Sequence, residues 1–182
     1  FADIAGFTAL TEAHGDEEAA TVVARFCEAV TRELPAFGAT HVKTIGDALM
    51  LRIPDPSQAV LLGLRIALDV LRGHRAPAVR VGLHHGPAIE RDGDYFGAAV
   101  NLAARVSAAA TGGEVLLTGQ TARAVREHAD GRERDGLAAL HRGCAQVAAH
   151  QSSELPGQRG HALEHVALGI RRQLGSRPAG RH

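Results

Sequence analysis

The chain has 182 residues, enough for one domain with a real core, or one domain plus a tail. Its 20 basic and 20 acidic side chains cancel, leaving no basic field to favour nucleic acid, and no apolar run approaches the roughly 18 residues of a membrane span. Two cysteines, Cys27 and Cys144, make no disulfide framework; with no secretory signal in view they fit a reducing, cytoplasmic setting.

The first residues, FADI, read as the end of a buried strand, and the start at Phe1 is expected to be a cut in a longer product. Gly6 turns the chain and Thr8 is placed to cap a short helix. Asp16 is expected to cap a second helix running from Glu17 to about Leu34. Ala20, Val23, Cys27, Val30 and Leu34 mark its apolar side, and Pro35 stops it. Two β-type runs follow, Ala39 to Ile45 and Ala48 to Ile53, joined at Gly46-Asp47. Ser57 to Leu71 reads as a helix with Val60, Leu61, Leu64, Leu68 and Leu71 inward. Val79 to His84 is a strand, in which the adjacent His84 and His85 point to opposite faces and chelate poorly. Ala88 to Arg91 begins another strand, Asp92 to Asp94 is a loop, and Gly97 to Ala110 is helical. Glu114 to Thr118 is a strand and Thr121 to His128 a short helix. This order suits an α+β, ferredoxin-like class: an antiparallel-rich sheet with helices on one side. Beyond Ala129 the periodicity decays, with His161 to Leu174 as a candidate helix and GSRPAGRH as a disordered tail.

The acids carry the first chemical signal. Asp3 closes a strand before a glycine turn, and Asp47 lies at a hairpin tip. Were the first strand to neighbour the hairpin, both carboxylates would converge, as Mg²⁺ requires when it takes one or two carboxylates plus phosphates. The amides of Gly6, Phe7 and Thr8 would then sit at a helix N-terminus, a natural phosphate cradle. Two ordinary turn aspartates are the competing reading. Asn101 and Arg105 are four apart on a helix and share a face, with a guanidinium fork suited to phosphate; a solvated helix face competes. Arg80 on its strand is a phosphate ligand or a sheet-edge charge.

FADIAGFT, KTIGDALM, VRVGLHHG and DYFGAAVNLAAR, in this order and at these separations, resemble the class III nucleotidyl cyclases over about Phe1 to Glu127. The DYFGAAVN form is most similar to bacterial adenylate cyclases of that class. The resemblance implies conversion of ATP to 3′,5′-cyclic AMP and pyrophosphate with two divalent metal ions, Mg²⁺ or Mn²⁺. By the same resemblance, Asp3 and Asp47 match the metal-binding aspartates and the carbonyl of Ile4 an extra ligand. Lys43 matches the lysine that recognises adenine, and Asp94 its acidic partner. Asn101 matches the residue that orients the ribose, Arg105 the arginine that stabilises the transition state, and Arg80 a phosphate-binding arginine. The adenine logic is chemical: N1 accepts and the 6-amino group donates, so an ammonium that only donates and a carboxylate that only accepts are matched to it, while guanine reverses both demands. The family builds its site between two cyclase domains, and this chain carries both halves, which implies a symmetric homodimer with two equivalent sites.

The family usually continues past the last helix into a β-hairpin with a Leu-Lys-Gly turn. GLAALHRGCAQVAAHQSSELPGQRGHALEHV offers neither a clear hairpin nor that lysine, which fits divergence or an altered reading frame equally. The expected organisation is therefore a cyclase catalytic domain over residues 1–128 and a diverged segment over 129–182, with regulatory domains outside the chain. A non-catalytic nucleotide-binding or dimerisation module derived from a cyclase is the alternative, and a guanylate cyclase is disfavoured by Lys43 and Asp94.

Overall fold

A computed structural model describes residues 1–70, 76–130, 148–150 and 165–168. Among these, a seven-stranded sheet is built from β1 (Ala2–Ile4), β2 (Thr40–Ile45), β3 (Ala48–Arg52), β4 (Val79–Leu83), β7 (Val115–Thr118), β8 (Ala148–His150) and β9 (His165–Leu168). The strand order is β2-β3-β1-β4-β7-β9-β8, with β4 and β7 parallel and every other pair antiparallel. A separate hairpin pairs β5 (Ile89–Arg91) with β6 (Asp94–Phe96). The helices are α1 (Phe7–His14), α2 (Asp16–Glu33), α3 (Pro56–Arg65), α4 (Ala98–Ala109) and α5 (Gly119–Asp130).

Strand alternation divides the sheet into two faces. Ala2, Ile4, Val79, Val81, Leu83, Val115 and Leu117 point to one face and pack with Phe26, Val30, Val60, Leu62 and Ile66 of the α2 and α3 layer. Phe26 has no exposed surface. The α+β class stands, and α4 departs from the one-sided arrangement: its Leu102, Val106 and Ala110 cover Leu116 on the opposite face. Gly82 allows that approach. A Cβ there would meet the Ser107 backbone nitrogen at 2.0 Å, well inside any van der Waals contact.

Local chemistry explains several boundaries. Asp55 caps α3, accepting from the amides of Ser57 at 2.8 Å and Gln58 at 3.2 Å, with Pro56 in the first helical position. Past Arg65 the helix loosens into a π-helical turn over Ile66–Val70. Val60, Leu62 and Ile66 are fully buried and the expected Leu64 packs half-buried against the same core, as Leu61 is half-buried, whereas Leu68 is exposed and Leu71 lies outside the described residues. In α2 the fully buried residues are Ala19, Phe26 and Val30, the expected Val23 and Cys27 pack half-buried against the same core and Leu34 after the helix is buried; of the expected stripe only Ala20 is exposed. The helix begins at Asp16, whose charge joins Glu17 and Glu18 in the first turn. Thr8 lies inside α1, and the cap is Gly6 with φ 74°.

The expected loop at Asp92 to Asp94 is a tight turn. Asp92 and Gly93 both take left-handed φ, 53° and 78°, and Asp94 opens β6. The helix expected over His161 to Leu174 meets a strand at His165–Leu168, which pairs with both β7 and β8. The rest of that stretch, the tail and Cys144 lie outside the described residues. Cys27 is half-buried against the main core. No helix among the described residues is long and apolar enough to cross a membrane.

Candidate active site

The sheet order brings the two acids together. β1 lies between β3 and β4, with Asp3 opposite Ala48 on one side and opposite Arg80 on the other. Asp47 directly precedes Ala48, the residue opposite Asp3, so the hairpin tip brings its carboxyl near enough to that of Asp3 for the two to perturb each other. Burial, followed by the nearby Asp3 carboxyl and its charge, pushes the Asp47 carboxyl up to about 6. Two carboxyls held this close form a donor set that a divalent cation would relieve. Among the described residues no third His, Cys, Asp or Glu joins them, so further ligands would come from backbone, water or phosphate.

Arg80 is not at a sheet edge. Its strand is interior, and its guanidinium donates to Asp3 Oδ2 through Nε at 2.7 Å and also through Nη2. Nη1 reaches the Ala108 carbonyl, near the end of α4, at 3.4 Å. The turn after β1 leads into α1 through Gly6, with Phe7 half-buried against the core and Thr8 exposed. Ile4 buries its side chain in the core at 1% exposure, so only its backbone is available for ligation.

A second group forms around β2 and β6. Lys43 Nζ donates to Asp94 Oδ2 at 2.5 Å, and this contact, with the Tyr95 amide at 2.8 Å on Oδ1, holds the Asp94 carboxyl below its ordinary range. The Lys43 ammonium also stands 5.7 Å from the centre of the Phe96 ring. Asn101 and Arg105 lie exposed on α4, which touches β6, and among the described residues neither hydrogen-bonds to the Asp3–Asp47 pair. The expected site residues thus fall into two clusters, Asp3-Asp47-Arg80 and Lys43-Asp94 with α4 alongside.

Several features escape the sequence reading. The Arg80–Asp3 pair follows from ladder register, which a linear pattern does not disclose. Phe96 beside Lys43 needs β2 and β6 in contact. Lys43 itself carries a signal open to counting: it is the only lysine in the chain, every other basic side chain of that pair of types being arginine.

The adenylate and guanylate cyclase catalytic domain family matches residues 1–154. Two curated relatives are a pH-sensitive adenylate cyclase of Mycobacterium tuberculosis, 38% identical over 137 residues, and an adenylate cyclase of Streptomyces griseus, 34% identical over 139. These matches take in 75% and 76% of this chain but only 34% and 35% of the relatives, so the chain spans about a third of their length. The fold resembles the adenylyl cyclase CyaB from P. aeruginosa, with TM-score 0.65, 20% identity and coverage of 96% of this chain and 94% of that one. It also resembles an adenylate cyclase from Trypanosoma brucei, with TM-score 0.69, 21% identity and coverage of 91% and 85%. The chain belongs to the class III cyclase catalytic domain family.

Proposed function

We propose that this domain is an adenylate cyclase, forming 3′,5′-cyclic AMP and pyrophosphate from ATP at sites completed between two copies of the chain. The observation that carries this is the Lys43–Asp94 pair, a donor and an acceptor held 2.5 Å apart in a member of this family and matched to the adenine edge. The names of the relatives support the same substrate.

In the reaction the ribose O3′ gives up its proton to solvent and bonds to the α-phosphorus, the bond from that phosphorus to the β-phosphate oxygen breaks, and pyrophosphate leaves. Asn101 orients the ribose. Arg105, one helical turn on, meets the charge that builds on the α-phosphoryl oxygens. Asp3, Asp47 and the Ile4 carbonyl would hold the divalent ions, which supply a lowered pKa at O3′ and charge neutralisation on the leaving phosphates. The amides of Gly6, Phe7 and Thr8 and the Arg80 guanidinium bind the polyphosphate. Among the described residues Asn101 and Arg105 form no hydrogen bond with the acid pair, so the two clusters are assigned to opposite sides of a two-fold interface. Exposed Ile45, Ile89 and Phe96, at 50%, 71% and 48%, supply apolar surface around the Lys43 cluster for such an interface.

The test is incubation of purified protein with Mg²⁺ or Mn²⁺ and either ATP or GTP, with cyclic product identified by mass. Cyclic AMP from ATP, with specific activity that falls on dilution, is the expected result. Absence of product from either nucleotide at concentrations where dimers are verified overturns the enzyme reading. Full activity in a verified monomer overturns the shared site.

A further inference from the structure

Arg80 already occupies the carboxylate that the proposed cation needs. It sits opposite Asp3 in the β1–β4 ladder, and two of its N–H groups converge on the one oxygen Oδ2. The guanidinium is held from a second direction by the Ala108 carbonyl, at the end of α4 where backbone oxygens carry partial negative charge. Asp3 and Arg80 keep only 15% and 30% of their side-chain surface exposed, so neither turns freely into solvent to make room.

We propose that Arg80 is a resident counter-cation that guards the acid pair until nucleotide arrives. This rests on the adenylate cyclase reading and adds to it an order of events. A divalent ion approaching Asp3 meets a guanidinium bonded to the same oxygen, and two cations on one carboxylate oxygen repel each other. Polyphosphate offers Arg80 an alternative anionic partner. Its arrival draws the guanidinium from Asp3 and frees Oδ2 for the ion. Metal and nucleotide then bind cooperatively, each raising the affinity for the other by the same factor. The nucleotide-free domain binds a divalent ion weakly although its carboxylates are in place. Arg80 is in this sense a positioning residue, acting on the metal site through Asp3.

The experiment measures Mn²⁺ binding to the nucleotide-free protein by electron paramagnetic resonance, for wild type, Arg80→Gln, Arg80→Lys and Asp3→Asn. Arg80→Gln is expected to bind Mn²⁺ alone about tenfold or more tightly than wild type, because an uncharged amide no longer competes for the carboxylate. Arg80→Lys, which keeps the charge but loses the fork, falls between them. A 3′-deoxy ATP analogue, which lacks the attacking hydroxyl, should tighten Mn²⁺ binding in wild type and do so much less in Arg80→Gln. Equal or weaker Mn²⁺ binding by Arg80→Gln overturns the proposal and leaves Arg80 as a prop for Asp3. Should that variant melt below the assay temperature, the wild type decides the matter through the NMR signal of Arg80 Nε–H. Its shift should move with Mg²⁺ and the analogue together and stay fixed with Mg²⁺ alone; movement with Mg²⁺ alone overturns the proposal. Asp3→Asn separates the two levels of inference. If, with the analogue present, it binds Mn²⁺ as well as wild type, the acid pair is not the metal site and the functional reading fails with it. If it loses Mn²⁺ under those conditions while nucleotide-free Arg80→Gln gains nothing, only the guarding role fails.

Discussion

Lys43 and Asp94 lie 51 residues apart in sequence and join β2 to β6 through a 2.5 Å contact within a single chain. Both groups come from the same chain, and donor and acceptor hold each other in place.

Replacing both with alanine should reduce the preference for ATP over GTP by about tenfold or more, because each wrong base no longer leaves a polar group unmatched. Mn²⁺ affinity should be unchanged, since the acid pair is a separate cluster. Competition between the two nucleotides, read as relative kcat/KM, checks the first point. Because Lys43 is the only lysine, acylation mapped by peptide mass reports on it directly; an adenine nucleotide should protect it and a guanine nucleotide should not.

Arg105 is exposed on α4, so its loss should leave the fold intact. Arg105→Ala is expected to lower kcat by about a hundredfold to a thousandfold, the scale of one lost charge-stabilising donor, with the melting temperature unchanged. A fall confined to KM would assign Arg105 to substrate binding instead.

Asp47 sets a pH dependence with a definite sign. Its carboxyl titrates at about 6 in the folded protein against an ordinary value of 3.8, so the folded state binds the proton more tightly than the unfolded state. The resulting stabilisation is full below about 3.8 and is lost as pH rises through about 6. Relative to Asp47→Asn, metal-free wild type should therefore lose stability across that window, by on the order of 1 kcal/mol once solvent screening of this half-exposed group is allowed for. Paired denaturant curves at pH 4 and pH 7.5 check it. Divalent ions need the ionised carboxyl, so their stabilising effect should grow over the same interval.

Gly82→Ala should be among the most damaging small substitutions. The new methyl would overlap the Ser107 backbone, which cannot rotate away, so α4 must shift bodily. A loss of about 3 kcal/mol or more is expected, measurable by urea unfolding, together with displacement of Asn101 and Arg105 and loss of activity.

The strands and helices were largely legible from periodicity because their apolar faces are one-sided. β2, β3, β4 and α4 fall close to where alternation and three-to-four spacing put them. What stayed hidden depends on contacts distant in sequence. Nothing local in AAVNLAARVSAA says that α4 crosses to the opposite face; that follows from Gly82 and Leu116 facing away from the main core. The segment around His165–Leu168 lacks strong alternation and joins the sheet by pairing with β7, whose apolar run invites a neighbour. For the candidate site, residue types were legible and partners were not. Arg80 looked free to meet phosphate, yet register sets it on Asp3.

The interleaving of β1 and β4 has a further consequence. Asp3 stands between Ala2 and Ile4, and Arg80 between Val79 and Val81, so each charged residue alternates with side chains sunk in the main core. A slip of one residue would turn those valines outward and drive the guanidinium into the hydrocarbon layer. Asp3 and Arg80 have no loop of their own in which to loosen ahead of the rest, and Asp47, in the β2–β3 turn, is followed at once by Ala48, which pairs with Asp3. Their geometry lasts as long as the cooperative unit that contains them, and heat should abolish ion binding and tertiary structure at one common midpoint.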